Sequence, residues 1–507
     1  MKQAFFGSRG VQIAFVLTLA LSVLLLLAQA QGQFTLQRIS VDTLTNSDSV
    51  HKSEVEPDMF AWGSTIVTTF HVARRPGTVG WGSGDVGFST STNGGKTWTY
   101  GLLPDLTVNY KNGTYGAAAD PSVAYDAKHG VWLISTLPLA GLQCCSLIGD
   151  VAVSRSTDGI HWSNPIKIDT THLDDKNWTV CDNHPKSPFY GHCYTEWDQA
   201  FGNGEVLMSV SSDGGKTWGP GLASADGATG LGGEPVVQPN GTVIVPFENG
   251  GIDAFRSTDG GKSWSTTVSI ASIIATTDGG GIRNPNLPSV GIDGGGKVFV
   301  VWSDCRFRTG CHSNDIVMST SSDGVKWSSV SRIPIDIVST TVDHFLPGIG
   351  ANPATSGNTG HLTIVYYYYP VANCSFSQCK LEVGFTASHD GGKTWTAGVK
   401  LAGPMQLSWL PDSDNGPMVA DYIGVSYTGG NPFGVFAVAT APLKDGTLQE
   451  AMYTTKEPLL AARNEPRFSS KDEKPAPDAD LHRKTDFYYD DEGKRPIPQE
   501  KLIRGEN

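Results

Sequence analysis

One eight-residue phrase recurs down the chain. Ser211 to Trp218 reads SSDGGKTW, Ser91 to Trp98 reads STNGGKTW, Ser257 to Trp264 reads STDGGKSW and Ser388 to Trp395 reads SHDGGKTW. Two relatives one residue shorter, STDGIHW and SSDGVKW, end at Trp162 and Trp327. The six tryptophans are separated by 46 to 68 residues. That period is too long for a solenoid of one or two helices per repeat and suits a four-stranded unit with variable loops. The turn residues are Asn93, Asp158, Asp213, Asp259, Asp323 and Asp390, each followed by Gly. Asx side chains bond nearby backbone N–H groups, and Gly accepts a positive φ. Trp is then aimed into an apolar layer, its N–H in want of a partner. The box is a hairpin corner with an anchor, a statement about architecture and not about ligands.

The repeat extends beyond its box. A strand precedes it, such as Asp85-Val-Gly-Phe-Ser, Asp150-Val-Ala-Val-Ser or Asp315-Ile-Val-Met-Ser. Before that lies an apolar run, such as Val131-Trp-Leu-Ile-Ser, Thr242-Val-Ile-Val-Pro-Phe or Val298-Phe-Val-Val-Trp. Short continuous apolar runs bounded by Gly and Asn read as strands buried on both faces. A further short strand comes first, opened by an acid and often Pro: Glu56-Pro57, Asp120-Pro121, Glu234-Pro235. Sixty Gly with 13 Trp, 15 Tyr and only 17 % charged residues agree with an all-β chain. Units begin near Glu56, Asp120, Asp175, Glu234, Asn284, Asp343 and Asp421. The spacing predicts a β-propeller of seven four-stranded blades, with six blades and an appended last segment as the alternative. The seventh unit has no box, and its strands fall at 422–427, 434–440 and 450–454. The stretch 35–41 is expected to supply its fourth strand, pairing the two ends of the chain and hiding a sheet edge.

The chain starts with Lys2 and Arg9, runs apolar from Val11 to Leu27 and then gives Ala28-Gln29-Ala30. This reads as a secretory signal peptide over 1–30, with an uncleaved membrane anchor as the competing reading. The propeller spans 34–455, and the charged, Pro-rich segment 456–507 is expected to be a disordered or loosely packed tail. The formal charge is −13, and it falls to −15 once Lys2 and Arg9 leave with the signal. That argues against nucleic acid or an anionic membrane as partner. A monomeric secreted protein facing extracellular glycans is expected, with no cofactor. Asp412-Ser-Asp-Asn-Gly resembles a calcium loop without its closing Glu, so no metal is expected there either.

Eight cysteines behind a signal peptide predict disulfides. They fall as Cys144/Cys145, Cys181/Cys193, Cys305/Cys311 and Cys374/Cys379. Three of these pairs lie in loops between second and third strands, which emerge on the face opposite the box corners. The sequence therefore clamps the face that holds the opening acids Glu56, Asp120, Asp175, Glu234, Asp343 and Asp421. Crowded carboxylates raise one another's pKa, the condition for acid/base work on a glycosidic bond. The same acids also suit strand-turn caps. The pattern breaks at Arg283, at His344 beside Asp343, and at Tyr422 beside Asp421. Arg283, Arg306 and Arg308 together would form an anion site, arginine being the natural reader of a carboxylate.

The S-x-D-x-G-x-x-W boxes resemble the Asp-box repeats of the sialidase superfamily over residues 50 to 455. The stretch Trp302-Ser-Asp-Cys-Arg-Phe-Arg followed by Asn314-Asp-Ile-Val-Met-Ser is similar to secreted proteins described as exo-α-sialidase-like. The resemblance implies a propeller acting on glycans, with arginines for a sugar carboxylate, a Tyr–Glu nucleophile pair and an Asp acid/base. Tyr422 is then the candidate nucleophile, with Glu234 or Glu196 as its partner, and Asp120 and Asp343 are the candidate acids. Where the family carries a Phe/Tyr-Arg-Ile-Pro motif, this chain reads Glu54-Val-Glu-Pro-Asp-Met-Phe, with Ile282-Arg-Asn-Pro as a partial echo elsewhere. The superfamily also includes non-catalytic propellers, so a glycan- or protein-binding module is the alternative.

Overall fold

The apolar runs lack alternation because both faces of their sheets are covered. The computed structural model describes residues 34–76, 82–140, 148–171, 174–199, 204–413, 415–460, 466–482, 487–489 and 496–498. The expected signal peptide and the Cys144/Cys145 pair lie outside the described residues. Among the described residues, every helix is a short 3₁₀ segment, and the rest of the regular structure is strand.

Four sheets are separate antiparallel four-stranded units. The first comprises Asp175–Cys181, Cys193–Asp198, Val206–Ser211 and Leu222–Ala223. The second comprises Val236–Val237, Val243–Glu248, Gly251–Ser257 and Val268–Ser272. Ser289–Ile292, Val298–Asp304, Asp315–Ser321 and Ser331–Arg332 make the third. Asp343–Ala351, Leu362–Tyr369, Leu381–Ser388 and Val399–Met405 make the fourth. Upstream, Glu54–Trp62, Thr65–Arg74, Ser83–Ser91 and Thr99–Leu102 form a like set. So do Ala117–Asp126, Val131–Ala140, Val151–Ser156 and Ile166–Asp169, and a single pairing of Ser83 with Ala118 fuses the two sets. Near the C-terminus, Phe436–Thr440 pairs with Gln449–Thr455, which pairs in turn with the N-terminal strand Leu36–Arg38. The hairpin of Val425–Thr428 with Asn431–Gly434 precedes them.

Each box forms the same turn. In the box at 211–218, Ser211 Oγ donates to Asp213 Oδ1 at 2.9 Å and accepts from Gly215 N at 3.0 Å. Asp213 also accepts from Lys216 N, Thr217 N and Thr217 Oγ1. These bonds hold its carboxyl down at about 2, against the opposing effect of partial burial. The glycines carry a second duty that the turn alone does not require. A Cβ on Gly261 (φ 81°) would stand 2.4 Å from Val210 of the preceding sheet, and one on Gly215 (φ 73°) would stand 2.8 Å from Leu133. The same holds for Gly324 against Ile244 (2.7 Å) and for Gly95 against Phe433 (3.0 Å). The box tryptophans follow suit. Trp162 packs with Val67 and Phe88, Trp264 with Tyr194 and Val206, and Trp395 with Phe299 and Ile316. The box is therefore a contact between sheets as well as a corner. Only Trp98 and Trp395 give their indole N–H to the box glycine carbonyl, each at 3.1 Å. The indole N–H groups of Trp162, Trp218, Trp264 and Trp327 have no partner.

A second set of bonds stitches the innermost strands in one direction. Asp58 Oδ2 accepts from Val123 N at 2.8 Å, and Ser122 Oγ from Thr179 N at 2.9 Å. Glu234 Oε2 accepts from Val290 N at 3.0 Å, and Ser289 Oγ from Ile349 N at 3.2 Å. Ser426 Oγ accepts from Ala61 N at 2.9 Å, linking a late strand to an early one.

Three disulfides form as expected: Cys181–Cys193, Cys305–Cys311 and Cys374–Cys379. The Cys181–Cys193 bridge lies, as expected, between the first and second strands of its unit and not in a second-to-third loop. In the pairing of Asp175–Cys181 with Cys193–Asp198, Asp175 faces Asp198 at one end and Cys181 faces Cys193 at the other. That bridge thus closes the hairpin at the box end, where Phe189 from its loop packs on box glycine Gly260. Within the segment from 456 on, the described residues 467–479 make contacts with the rest of the chain. Arg467–Phe468 pairs with Trp395–Thr396, Ala476 N donates to Arg306 O at 2.7 Å, and Ala479 joins Ile274, Cys305 and Cys311 in a small core.

Because Asp213 gathers four bonds on the surface, Asp213→Ala is expected to lower stability by about 1–2 kcal/mol, in line with the loss of a turn or helix cap. Denaturant titration checks this, and an unchanged midpoint would show that the turn stands on its glycines alone.

Candidate functional site

The innermost strands do not run straight to the mouth. Register shifts interrupt their pairing between Val55 and Asp58, Ala119 and Ser122, Asp175 and Trp178, and Phe345 and Gly348. Inside these bulges Glu56, Asp120, Lys176 and Leu346 take left-handed φ values of 53°, 42°, 48° and 47°. Such a conformation costs on the order of 1–3 kcal/mol for a non-glycine residue and persists only where surroundings enforce it. A bulge re-aims the side chain it carries.

In three of these strands the result is one charged cluster. Lys176 Nζ lies 3.0 Å from Asp120 Oδ1, 2.6 Å from Asp421 Oδ2 and 3.7 Å from Glu56 Oε1. Arg283 grips the same Asp421, with Nε 2.7 Å from Oδ1 and Nη2 bonded to Oδ2. His71 Nε2 lies 2.9 Å from Glu56 Oε2 and accepts from Asp120 N at 2.8 Å. Asp175 bonds Asp120 through its carboxyl. Glu56, Asp120, Lys176 and Asp421 are all buried, while Asp175 and Arg283 are half-buried. Tyr422 follows Asp421 and meets Trp178 edge to face, with ring centres 5.0 Å apart. Its hydroxyl donates to Pro121 O at 3.1 Å. Both rings are half-buried.

The carboxyls of this cluster are pushed apart. Burial alone would raise Asp421 and Asp120. Arg283 and Lys176 outweigh it at Asp421, and Lys176 at Asp120, so both are held below the usual carboxylate range. At Asp175 burial dominates over Lys176, the charge on Asp120 adds to it, and the carboxyl rises to about 8. Glu56 is raised too, by burial first. Lys176 stays firmly protonated against burial because Asp120, Asp421 and Glu56 surround it. Asp175 and Asp120, which share a hydrogen bond, are therefore shifted in opposite directions, the first upward and the second downward.

The other residues read from the sequence stand elsewhere. Glu234 bonds Val290 N and senses Asp58, so it is one of the stitches between inner strands. Asp343 accepts from Asn314 N at 2.7 Å, near Asp278, and is pushed up to about 8 chiefly by burial. His344 points away from it, packs against Tyr366 and Tyr368, and is lowered by burial to about 4. Adjacent strand residues face opposite sides of a sheet, so Asp343 and His344 cannot serve one site. Arg306 Nε and Nη2 bind Asp304 at 2.8 and 2.7 Å. Arg308 binds Asp315 and Asp336 at 2.6 and 3.0 Å. Arg283, Arg306 and Arg308 share no carboxylate and are each already paired within the chain, Arg308 with two, so the three-arginine anion site is not assembled. Glu196 is fully buried beside the Gly233 backbone, and the anions acting on it are Asp198 and Asp175, not Tyr422.

Sequence reasoning missed Lys176, His71 and Trp178. The third unit was taken to open at Asp175, one residue early. The bulge position held by Glu56 and Asp120 falls on Lys176, and no proline follows it to mark the register. Two groups have the ligand atoms for a metal, each within 4.8 Å: Glu56/His71/Asp120 and Asp315/Asp336/His344. In the first, the Lys176 ammonium takes the cation's place and Asp120 N–H uses the His71 lone pair. In the second, Arg308 and Arg332 neutralise the two carboxylates. Neither set suits a metal.

No family model and no curated protein matches the sequence. Among solved structures, an ulvan lyase of a polysaccharide lyase family is similar over 83 % of this chain and 96 % of its own, at 11 % identity and a TM-score of 0.46. A Hadza microbial sialidase covers 67 % of this chain and 66 % of its own at 17 % identity and 0.44. A Dyadobacter fermentans protein of unknown function covers 70 % and 99 % at 15 % identity and 0.44. The chemistry of the mouth rests on its own residues.

Two outcomes follow from the charges. Glu54 and Asp58 are pushed up to about 7, and Asp85, Asp174, Asp175 and Asp343 to about 8, in each case mainly by burial. A carboxyl raised on folding binds its proton more tightly when folded. Its stabilising contribution is complete below about pH 4 and is lost as pH rises through 7 to 8. Asp120 and Asp421 act oppositely, but only in more acid solution. The thermal midpoint is expected to fall from about pH 5 to about pH 9 at fixed ionic strength, and calorimetry showing a rise would contradict these burials. Separately, Lys176→Met leaves Asp120 and Asp421 without their ammonium and is expected to destabilise by about 3–5 kcal/mol in a denaturant titration.

Proposed function

We propose that the chain is a secreted, glycan-directed β-propeller of seven four-stranded blades whose mouth cleaves a glycosidic bond. The stitches between successive inner strands support the ring. So do Ser426 meeting Ala61, Gly95 resting on Phe433, and the pairing of Leu36–Arg38 with Gln449–Thr455. Secretion is supported by three disulfides; no helix among the described residues is long and apolar enough to cross a membrane.

The observation that carries catalysis is the Asp175/Asp120 pair. Two hydrogen-bonded carboxyls whose surroundings drive their pKa values apart supply an acid and an anion at neutral pH. Asp175 protonates the leaving oxygen as the C–O bond breaks, Asp120 stabilises the positive charge that develops on the sugar, and Lys176 keeps Asp120 ionised; a solvent water then adds to the anomeric carbon and gives its proton to the Asp175 carboxylate. The half-buried Trp178 and Tyr422 offer ring faces and edges to a sugar. Because Arg283 is already committed to Asp421, neutral glycosides are favoured over sialosides. A non-catalytic glycan-binding propeller is the second reading, supported by the same pairing of every mouth cation with a carboxylate of the chain.

A panel of fluorogenic glycosides, a sialoside included, separates the two. Turnover that falls by about a hundredfold or more in Asp175→Asn, and in wild type declines as pH passes about 8, supports the acid. Glycan-array binding without turnover on any substrate sinks the hydrolase and leaves the binding module.

A further inference from the structure

Arg283 is placed by its backbone before its side chain reaches Asp421. It follows Gly279-Gly280-Gly281, of which the first two lie tight against their neighbours while Gly281 is open. A Cβ on Gly279 would stand 2.9 Å from both the N and Sγ of Cys374. One on Gly280, at φ 71°, would stand 2.4 Å from Leu407 Cδ1 and 2.9 Å from Cys379 Sγ. The glycine backbone therefore lies directly on the Cys374–Cys379 disulfide. From the other side, a Cβ on Gly416 would meet Gly281 O at 2.0 Å, and Arg283 N donates to Pro417 O at 3.0 Å. Asn284 Nδ2 ties the ends of the segment by donating to Asp278 Oδ2 at 2.7 Å. The guanidinium thus emerges from a loop pressed between a disulfide and a hairpin.

We propose that the Cys374–Cys379 loop is the positioning element for Arg283, and through Asp421 for the Lys176 ammonium and the acid pair. This rests on the reading of the mouth as the glycan site. The disulfide lies against the backbone of Gly279 and Gly280. It acts as a wall, and glycine is required at 279 and 280 because only a bare backbone lies flat enough against it. Closing a loop of five residues constrains little of the unfolded chain, so this bridge matters more for local geometry than for global stability.

The test is amide exchange, which needs no substrate. In Cys374→Ser/Cys379→Ser the Arg283 amide is expected to exchange at least about tenfold faster, while the Val301 amide in the sheet core keeps its rate. Gly279→Ala, which presses on the intact disulfide from the segment side, is expected to do the same and keeps the test alive should the double variant fold poorly. Cys181→Ser/Cys193→Ser, whose bridge lies at the box end, should leave Arg283 unchanged. Equal Arg283 rates in wild type, the double variant and Gly279→Ala overturn the proposal. Where wild type turns over a glycoside, loss of the disulfide should add nothing once Arg283→Ala is in place; additive losses overturn the route through Arg283. Faster exchange at Arg283 in a protein that neither cleaves nor binds glycans keeps the positioning role and rejects the glycan reading instead.

Discussion

A single ammonium group, that of Lys176, holds the mouth together. It sits among Asp120, Asp421 and Glu56, on segments that begin more than 50 residues apart in sequence. Taking it out of water carries a penalty of several kcal/mol, which close carboxylates offset only when geometry is good. Two of its contacts are at hydrogen-bond length. Without it, three acids would face one another in a low dielectric. The left-handed backbone at Glu56, Asp120 and Lys176 is strain that this attraction maintains, and the attraction in turn requires the bulges that aim those side chains inward. Charge and strain each account for the other.

Much of the architecture was legible in the sequence, because it rests on local chemistry. The boxes announce their turns through Asp and Gly, and the unalternating apolar runs announce strands covered on both faces. The cysteines announce their partners by proximity. What escaped was whatever depends on a single-residue register. A bulge exchanges the inward and outward faces of a strand, so Asp175 and Lys176 trade roles with no change in composition. His344, adjacent to Asp343 in sequence, is removed from it by the same alternation. The arginines failed for another reason. A sequence shows cations but not the carboxylates that will claim them, and Asp304, Asp315, Asp336 and Asp421 claimed Arg306, Arg308 and Arg283.

The mouth is consequently less an anion receptor than a self-neutralised patch with one loose proton, that of Asp175. Its cations arrive already paired, so an incoming ligand gains little by offering a carboxylate.

The stitches between inner strands all run one way. The acceptor side chain belongs to one sheet and the N–H to the sheet that follows it, and box glycines likewise lean on the sheet before them. Every unit thus presents a socket on one flank and a plug on the other. A module of this kind can be duplicated and spliced beside its parent without inventing a new interface, whereas a unit set in reversed would meet plug with plug.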